Sequence, residues 1–449
     1  MRQKHRIQRA LIETWLDLPY AKELEVIDDL LTSQPTIGEL ATQDLIRGNP
    51  EIGRPGMTGE EVIRALALKQ MNQWSYAELH FQLHDSSTAR SFMGYGVAGR
   101  TPACSTLAAN VKMLRVETLQ KINRVILNEA RQAGVEKGSK VRIDTTAVEA
   151  NIHHPFESDQ LWDVVRVLTR LMKQAKKLAA DPSRIVFPDR TRRAKRRYRG
   201  AWNAKTKAKR KEQYRDLLKV TREVMNAAQR VAGVLEGLSL SSARFAKIRG
   251  EILRIMPLAE TLCDTTWRRI IDDERVPSTE KVLSIFETHT DVIRKDNRET
   301  TYGHKICLTG GASSLILDCR VLEGNPADST LAVDAVKRQG DLFERVPRQV
   351  ALDGGFASKT NLADIKSLGV KDVAFSKRRG LEITDMTKSP WVYRRLRDFR
   401  AGIEGCISFL KRCFGLDRCS WRSFDSFGAY VHASVLSFNL LVLARHLVE

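Results

Sequence analysis

A short β-branched stretch, Val141 to Thr146, carries the aspartate Asp144 and then has no strand-like neighbour for well over a hundred residues. A buried strand must pair its backbone donors and acceptors with something. From about Glu157 to Thr279, however, apolar residues recur at helical spacing: Leu161, Val164, Val165, Leu168, Leu171 and Met172, then Leu217, Leu218, Val224, Met225, Ala228 and Val231. The stretch therefore opens a sheet that a helical insertion interrupts, and its partners lie further along the chain. Lys281 to Phe286 reads as the first of them. Tyr302 to Thr309 and Ser314 to Leu322 flank Gly310 and Gly311, a hairpin signal. Gly324, Asn325 and Pro326 end the hairpin, and Asp328 caps a helix over Leu331, Ala332, Ala335 and Val336. A strand from Gln349 to Asp353, a helix from Ser358 to Leu368 and a strand from Asp372 to Phe375 follow. This order predicts a mixed sheet with an antiparallel edge and a parallel core, as in RNase H-like domains.

Residues 1 to about 135 read as all-helical. Thr58 with Glu61, and Ser75 with Glu78, form capping boxes, and the run from Asp85 to Thr88 caps a third short helix containing Phe92 and Met93. Short, tightly capped helices suit either a helix-turn-helix-like reader of DNA or an ordinary small bundle. The N-terminus, Met1 to Arg6, has no apolar run of signal-peptide character behind it. Tyr430 to Val448 is apolar and almost long enough to span a bilayer, but Asn439 and Arg445 would be costly in lipid, so it reads as a buried closing helix.

The 449-residue chain has a formal net charge of +20, which points to a polyanionic partner: nucleic acid first, an anionic membrane surface second. The excess is concentrated in the insertion, at Arg190 to Arg199 and again at Lys205 to Lys211. Such runs are commonly solvated surface. With Tyr198 and Trp202 interleaved among Arg193, Lys195, Arg196 and Arg197, this one also suits nucleic acid, with charge for phosphate and rings for stacking. Arg90, Arg100, Lys112 and Arg115 are further candidate phosphate contacts. The seven cysteines form no C-x-x-C pair and read as reduced, mostly buried thiols without a structural zinc. His153 and His154 are adjacent, so in an extended stretch they face opposite ways and do not readily share one ion. No G-x4-G-K-[ST] occurs, and no nucleotide cofactor is expected.

Asp144 and Asp353 each close a short strand, and in open α/β sheets sites lie beyond the carboxyl ends of strands. In the segment from Arg400 to Lys411, Ile403, Ile407 and Leu410 form one helical stripe, and Arg400, Glu404 and Lys411 form another. A glutamate on such a helix, beside two strand-end aspartates, would make three mutually repelling carboxylates. A divalent cation removes that cost, and oxygen ligands suit Mg²⁺. Taken singly, Asp353 with Gly354 and Gly355 could be only a turn, and Glu404 only a surface ion pair with Arg400.

With these residues the chain resembles the DDE transposases of bacterial insertion sequences, closest to the ISNCY-like group, over nearly its whole length. Asp144, Asp353 and Glu404 fall on the acidic triad of that family. Arg400, Glu404 and Lys411 match the R-x3-E-x6-K part of a YREK signature, while Arg397 stands where that signature has Tyr. The resemblance implies an α+β multidomain chain in four stretches: a helical N-terminal DNA-binding domain (1–135), the first part of an RNase H-like catalytic core (136–156), the basic helical insertion (157–279), and the remainder of the core with C-terminal helices (280–449). It implies two Mg²⁺ ions, or Mn²⁺ in their place, held by the triad. It implies binding of terminal inverted repeats, cleavage of the element ends, and joining of the 3′-hydroxyl to target DNA. Arg400 and Lys411 would contact DNA phosphates. His304 and Lys305 leave the second strand close to the same edge, where a substrate contact and a structural role are equally open. A homodimer or larger assembly on DNA, in the bacterial cytoplasm with the nucleoid, follows from such a role. Two rivals keep the fold: a structure-specific nuclease or resolvase, and a DNA-binding protein without catalysis.

Overall fold

The structure, a computed structural model, describes residues 17–48, 56–96, 99–239, 242–294 and 299–448. Met1 to Arg6, expected to carry no signal peptide, lie outside the described residues. In chain order come helices α1 (Pro19–Ser33), α2 (Pro35–Leu45), α3 (Gly59–Met71), α4 (Tyr76–Asp85), α5 (Ser87–Phe92), α6 (Cys104–Val111) and α7 (Val116–Gln132), then strand β1 (Lys140–Glu149). Four helices follow: α8 (Glu157–Leu178), α9 (Thr191–Asn203), α10 (Lys207–Ser239) and α11 (Ala243–Thr266). The chain then runs through β2 (Asp291–Ile293), β3 (Thr301–Gly310), β4 (Ile316–Val321), α12 (Ala332–Phe343), β5 (Gln349–Leu352), α13 (Lys359–Ser367), β6 (Asp372–Phe375), α14 (Ile383–Met386), α15 (Pro390–Cys413) and α16 (Phe424–Val448). It divides into two compact units, residues 1–151 with 291–449, and residues 152–290.

In the first unit the strand order is β2-β3-β1-β5-β6, with β4 also paired to β3. β1 is antiparallel to β3 and parallel to β5, and β5 is parallel to β6. The expected hairpin is β3–β4, an antiparallel pair. Thr58 and Ser75 both close full capping boxes on α3 and α4.

Two expectations need correction. Lys281 to Phe286 is not a strand; Ile285 is buried in the core of the helical unit, where Val282 and Phe286 pack against it. Its β-branched, apolar residues serve helix packing rather than a ladder, and periodicity alone does not separate the two for so short a run. The N-terminal helices also do not have a core of their own. Leu66 of α3, Ile126 of α7, Ile143 of β1 and Leu436 of α16 belong to one continuous apolar cluster. Every residue of α3 from Gly59 to Gln70 is buried, and even Arg64 is fully enclosed, paired with Asp28 and Glu60.

α16 is apolar on every side, as a helix in the middle of a core must be. It is the helix among the described residues that is long and apolar enough to cross a membrane, and nearly all of it is buried within the unit. Asn439 is fully buried there; it accepts from the Ile316 amide at 2.9 Å and donates to the Ile316 carbonyl at 2.8 Å. It thereby satisfies the edge of β4 that faces away from β3. Arg445 pairs with Glu23 at 2.7 Å.

The second unit is helical, with its own core built from Leu161, Leu168, Leu217, Val224, Ile252 and Leu262, among others.

Candidate active site

Asp144 does not end its strand, because β1 continues to Glu149 along β3. It ends the parallel part: β5 pairs with β1 only from Lys140 to Ile143, and the last pair is Ile143 with Leu352. The next residue on each strand is an aspartate, Asp144 on one and Asp353 on the other. Parallel register thus sets them side by side, at the spacing of adjacent strands, about 4.8 Å.

α15 brings the third carboxylate. Arg142, two residues before Asp144 and therefore on the same face of β1, is buried beneath this helix. Its guanidinium donates to the Phe399 carbonyl at 3.1 Å and to the Ser314 hydroxyl at 3.1 Å. A side chain at Gly402 would collide with that guanidinium, so glycine is required for the approach. Ile403, Cys406 and Leu410 bury the inner face, and Arg400 and Glu404 emerge beside Asp144.

The three acids meet at one cation. Arg400 Nη1 lies 3.4 Å from Asp144 Oδ2 and 3.7 Å from Asp353 Oδ1, and Nη2 hydrogen-bonds Glu404 Oε1. The Arg400 side chain is only 13% exposed, while that of Glu404 is 60% exposed. The Arg400–Glu404 pair at i,i+4 is therefore both a helix ion pair and one edge of the cluster. Burial pushes the Asp353 carboxyl upward, but the Ser376 hydroxyl, the Gly354 and Gly355 amides and Arg400 outweigh it and hold the group below the usual aspartate value. Ser376 Oγ donates to Asp353 Oδ1 at 2.7 Å. The Thr145 amide donates to Asp144 Oδ1 at 2.7 Å.

Among the described residues no three Asp, Glu, His or Cys side chains stand close enough together to hold an ion as they lie. The reason is visible in the geometry: the carboxylates are arranged around the Arg400 guanidinium. The donor set nevertheless fits a hard cation, being three carboxylates converging on a position already held by positive charge.

Of the other expected site residues, Lys411 lies one helical stretch beyond Glu404 and pairs with Asp417 at 3.6 Å. His304 and Lys305 are a correction. Both are buried, His304 against Asp291 at 3.0 Å and Lys305 against the Pro326 carbonyl at 2.7 Å and Asp328 at 3.2 Å, so neither presents a donor to a substrate. Arg90 donates to the carbonyls of Leu83, Gly96 and Gly99 and fastens its own loop, whereas Arg100 is exposed. In the helical unit, Arg193 and Arg197 both bind Asp216, and Tyr198 stacks on Trp162. Lys195 and Arg196, on the other side of α9, are exposed, and Trp202 is half exposed with its indole N–H directed to Asp159. His153 binds Asp163 at 2.8 Å. Sequence reasoning missed Arg142, Thr145 and Ser376; Ser376 follows the end of β6, the parallel neighbour of β5, and that position was the available signal.

Residues 265–440 match the family described as Transposase DDE domain. The match takes in Asp353 and Glu404, leaves Asp144 outside, and supports a DDE transposase, a protein that acts on DNA. No curated protein and no solved structure matched the chain.

Proposed function

We propose that this protein is the transposase of a bacterial insertion sequence, of the ISNCY-like kind, that cuts its element's ends and joins them to target DNA. The observation that carries this is the gathering of Asp144, Asp353 and Glu404 around one guanidinium. Asp144, Asp353 and Glu404 would hold the divalent ions, two Mg²⁺ or Mn²⁺. Bound there, they would supply Lewis acidity and neutralise the charge that builds on a phosphodiester under attack. The chain's own groups do the positioning. The Ser376 hydroxyl fixes the Asp353 carboxylate, and the Thr145 amide fixes that of Asp144. Arg400, once released from the acids, and Lys411 would bind phosphate oxygens beside the reacting bond. Phosphoryl transfer by positioning and charge stabilisation needs little else.

Terminal inverted repeats would be bound through exposed cations such as Lys195, Arg196 and Arg100, with Trp202 available for stacking. The net charge of +20 supports a DNA partner. Handling two ends at once calls for a dimer or larger assembly, working in the cytoplasm where the DNA is. The test uses purified protein, an end-bearing duplex and Mg²⁺. Asp144→Asn and Asp353→Asn should abolish end cleavage and leave DNA binding intact; equal cleavage by wild type and variants refutes the enzyme. Joining of a cut 3′ end to a second duplex separates a transposase from a nuclease or resolvase, which would stop at hydrolysis.

A further inference from the structure

On the face of the sheet away from α15 lies a charged pair, an enclosed lysine with a part-buried aspartate, that makes no contact with Arg400. Thr145, Cys307 and Lys305 share that face, because Thr145 pairs with Cys307 and Lys305 is two residues from it. Lys305 is almost fully enclosed and sits 3.2 Å from Asp328 Oδ1. The same oxygen accepts from the Thr145 hydroxyl at 2.9 Å. Enclosing a charge pair gains little stability over an apolar pair of the same size, so stability alone does not account for it.

Its position does. Thr145 accounts for one acid: its hydroxyl is bound to Asp328 while its amide donates to Asp144. Gly355 accounts for the other. It lies in the turn that follows Asp353, its amide is among the groups that lower the Asp353 carboxyl, and a Cβ built on it would lie 2.8 Å from Asp328 Oδ2. Asp328 is therefore in contact with both backbone segments that orient the paired aspartates. Asn361 closes the arrangement, donating to the Ser329 carbonyl at 2.7 Å and the Phe356 carbonyl at 2.8 Å, so the turn bearing Asp328 and the turn bearing Gly355 are stapled together.

We infer that Asp328, neutralised by Lys305, is a positioning residue that sets the separation of Asp144 and Asp353 from beneath. This rests on the reading of those aspartates as ion-binding groups. A carboxylate at this place makes a fixed spacer: it accepts from Thr145 on one side, lies close to Gly355 on the other, and is held by a buried lysine. Groups that orient metal-binding side chains typically contribute about 10- to 100-fold in ion affinity or activity.

The test measures Mn²⁺ binding to the full chain by calorimetry or by loss of the free-ion spin-resonance signal, with DNA binding, kcat and KM for end cleavage alongside. Asp328→Ala should weaken Mn²⁺ binding by about 10-fold or more and lower kcat, with KM for DNA unchanged. Thr145→Val, which removes only the hydroxyl, should follow it in direction even if Asp328→Ala fails to fold, and Thr145→Ser should restore binding. Variants that lose thermal stability yet bind Mn²⁺ as wild type does would reduce the trio to packing and overturn the inference. The controls separate it from the function itself: if wild type binds Mn²⁺ no better than Asp144→Asn, the transposase reading fails too. If wild type binds and Asp328→Ala and Thr145→Val bind equally, only the role of Asp328 falls.

Discussion

Arg400→Gln should make the protein bind divalent ions more tightly while making it a worse enzyme. At 3.4 Å from Asp144 and 3.7 Å from Asp353, each guanidinium–carboxylate attraction is about 5 kcal/mol at an effective dielectric of about 20. That is a ceiling. Asp353 is 43% exposed and Glu404 60% exposed, so water screens both. An ion entering the cluster must displace the guanidinium and forfeit those contacts, at a net cost of about 2 kcal/mol after discounting for exposure and for the new hydration of Arg400. With glutamine that cost disappears, and 2 kcal/mol corresponds to about 30-fold in affinity. Without ions the variant should be less stable than wild type, since three carboxylates then lack their counter-charge, and saturating Mg²⁺ should recover most of the loss. The assay is Mn²⁺ calorimetry on both proteins, with melting followed in chelator and in Mg²⁺. End cleavage should fall despite the tighter ion, because the phosphate-binding cation is gone. An affinity equal to or weaker than wild type would refute the idea that Arg400 and the ions compete for one set of oxygens.

Burial pushes the His432 imidazole down to about 4 against about 6.5 when unfolded. As pH falls the unfolded chain takes up that proton first, so this contribution to stability is complete above pH 6.5 and declines between 6.5 and 4; it should reach about 2 kcal/mol lost by pH 5. Urea midpoints of wild type and His432→Gln at pH 7 and 5 measure it, and a loss of the same size in both proteins would assign the dependence to other groups. Asn439→Leu strips the Ile316 amide and carbonyl of their partners and should cost about 2–4 kcal/mol, read from urea unfolding. On α9, Lys195→Ala with Arg196→Ala should weaken DNA binding and flatten its salt dependence at unchanged melting temperature. Arg193→Ala should do the reverse, because it breaks the contact with Asp216 that fastens α9 to α10.

Much of the site was legible before any fold. Asp353 follows a β-branched run that ends as a strand, and Glu404 lies on a helix with Arg400 one turn before it; those patterns are local and survive translation into structure, whereas β1 runs on past Asp144 to Glu149. Asp328 was also visible, but only as a helix cap, because a cap and a buried spacer look identical along the chain. Lys305 and His304 needed the fold to decide between two readings. Substrate contact and structural role were both open for them along the chain, yet β3 lies between β1 and β4, and His304 is enclosed with Asp291 at the start of β2 and Lys305 with Asp328 after β4. The basic run of the insertion was read as one patch, although helical geometry turns Arg193 and Arg197 inward while Lys195 and Arg196 face out.

Periodicity and capping, which depend on neighbours within a turn or two, determined the helices, the hairpin, the interrupted sheet and the all-apolar closing helix. Tertiary structure alone decided what each charge faces. Parallel register at Ile143 and Leu352 brings two aspartates abreast, Arg142 beneath Gly402 sets the helix that delivers Glu404, and a single guanidinium occupies the point where all three acids converge. Spacing along the chain paired Arg400 with Glu404, but charge is felt through space, so only the fold could bring Asp144 and Asp353 to the same guanidinium.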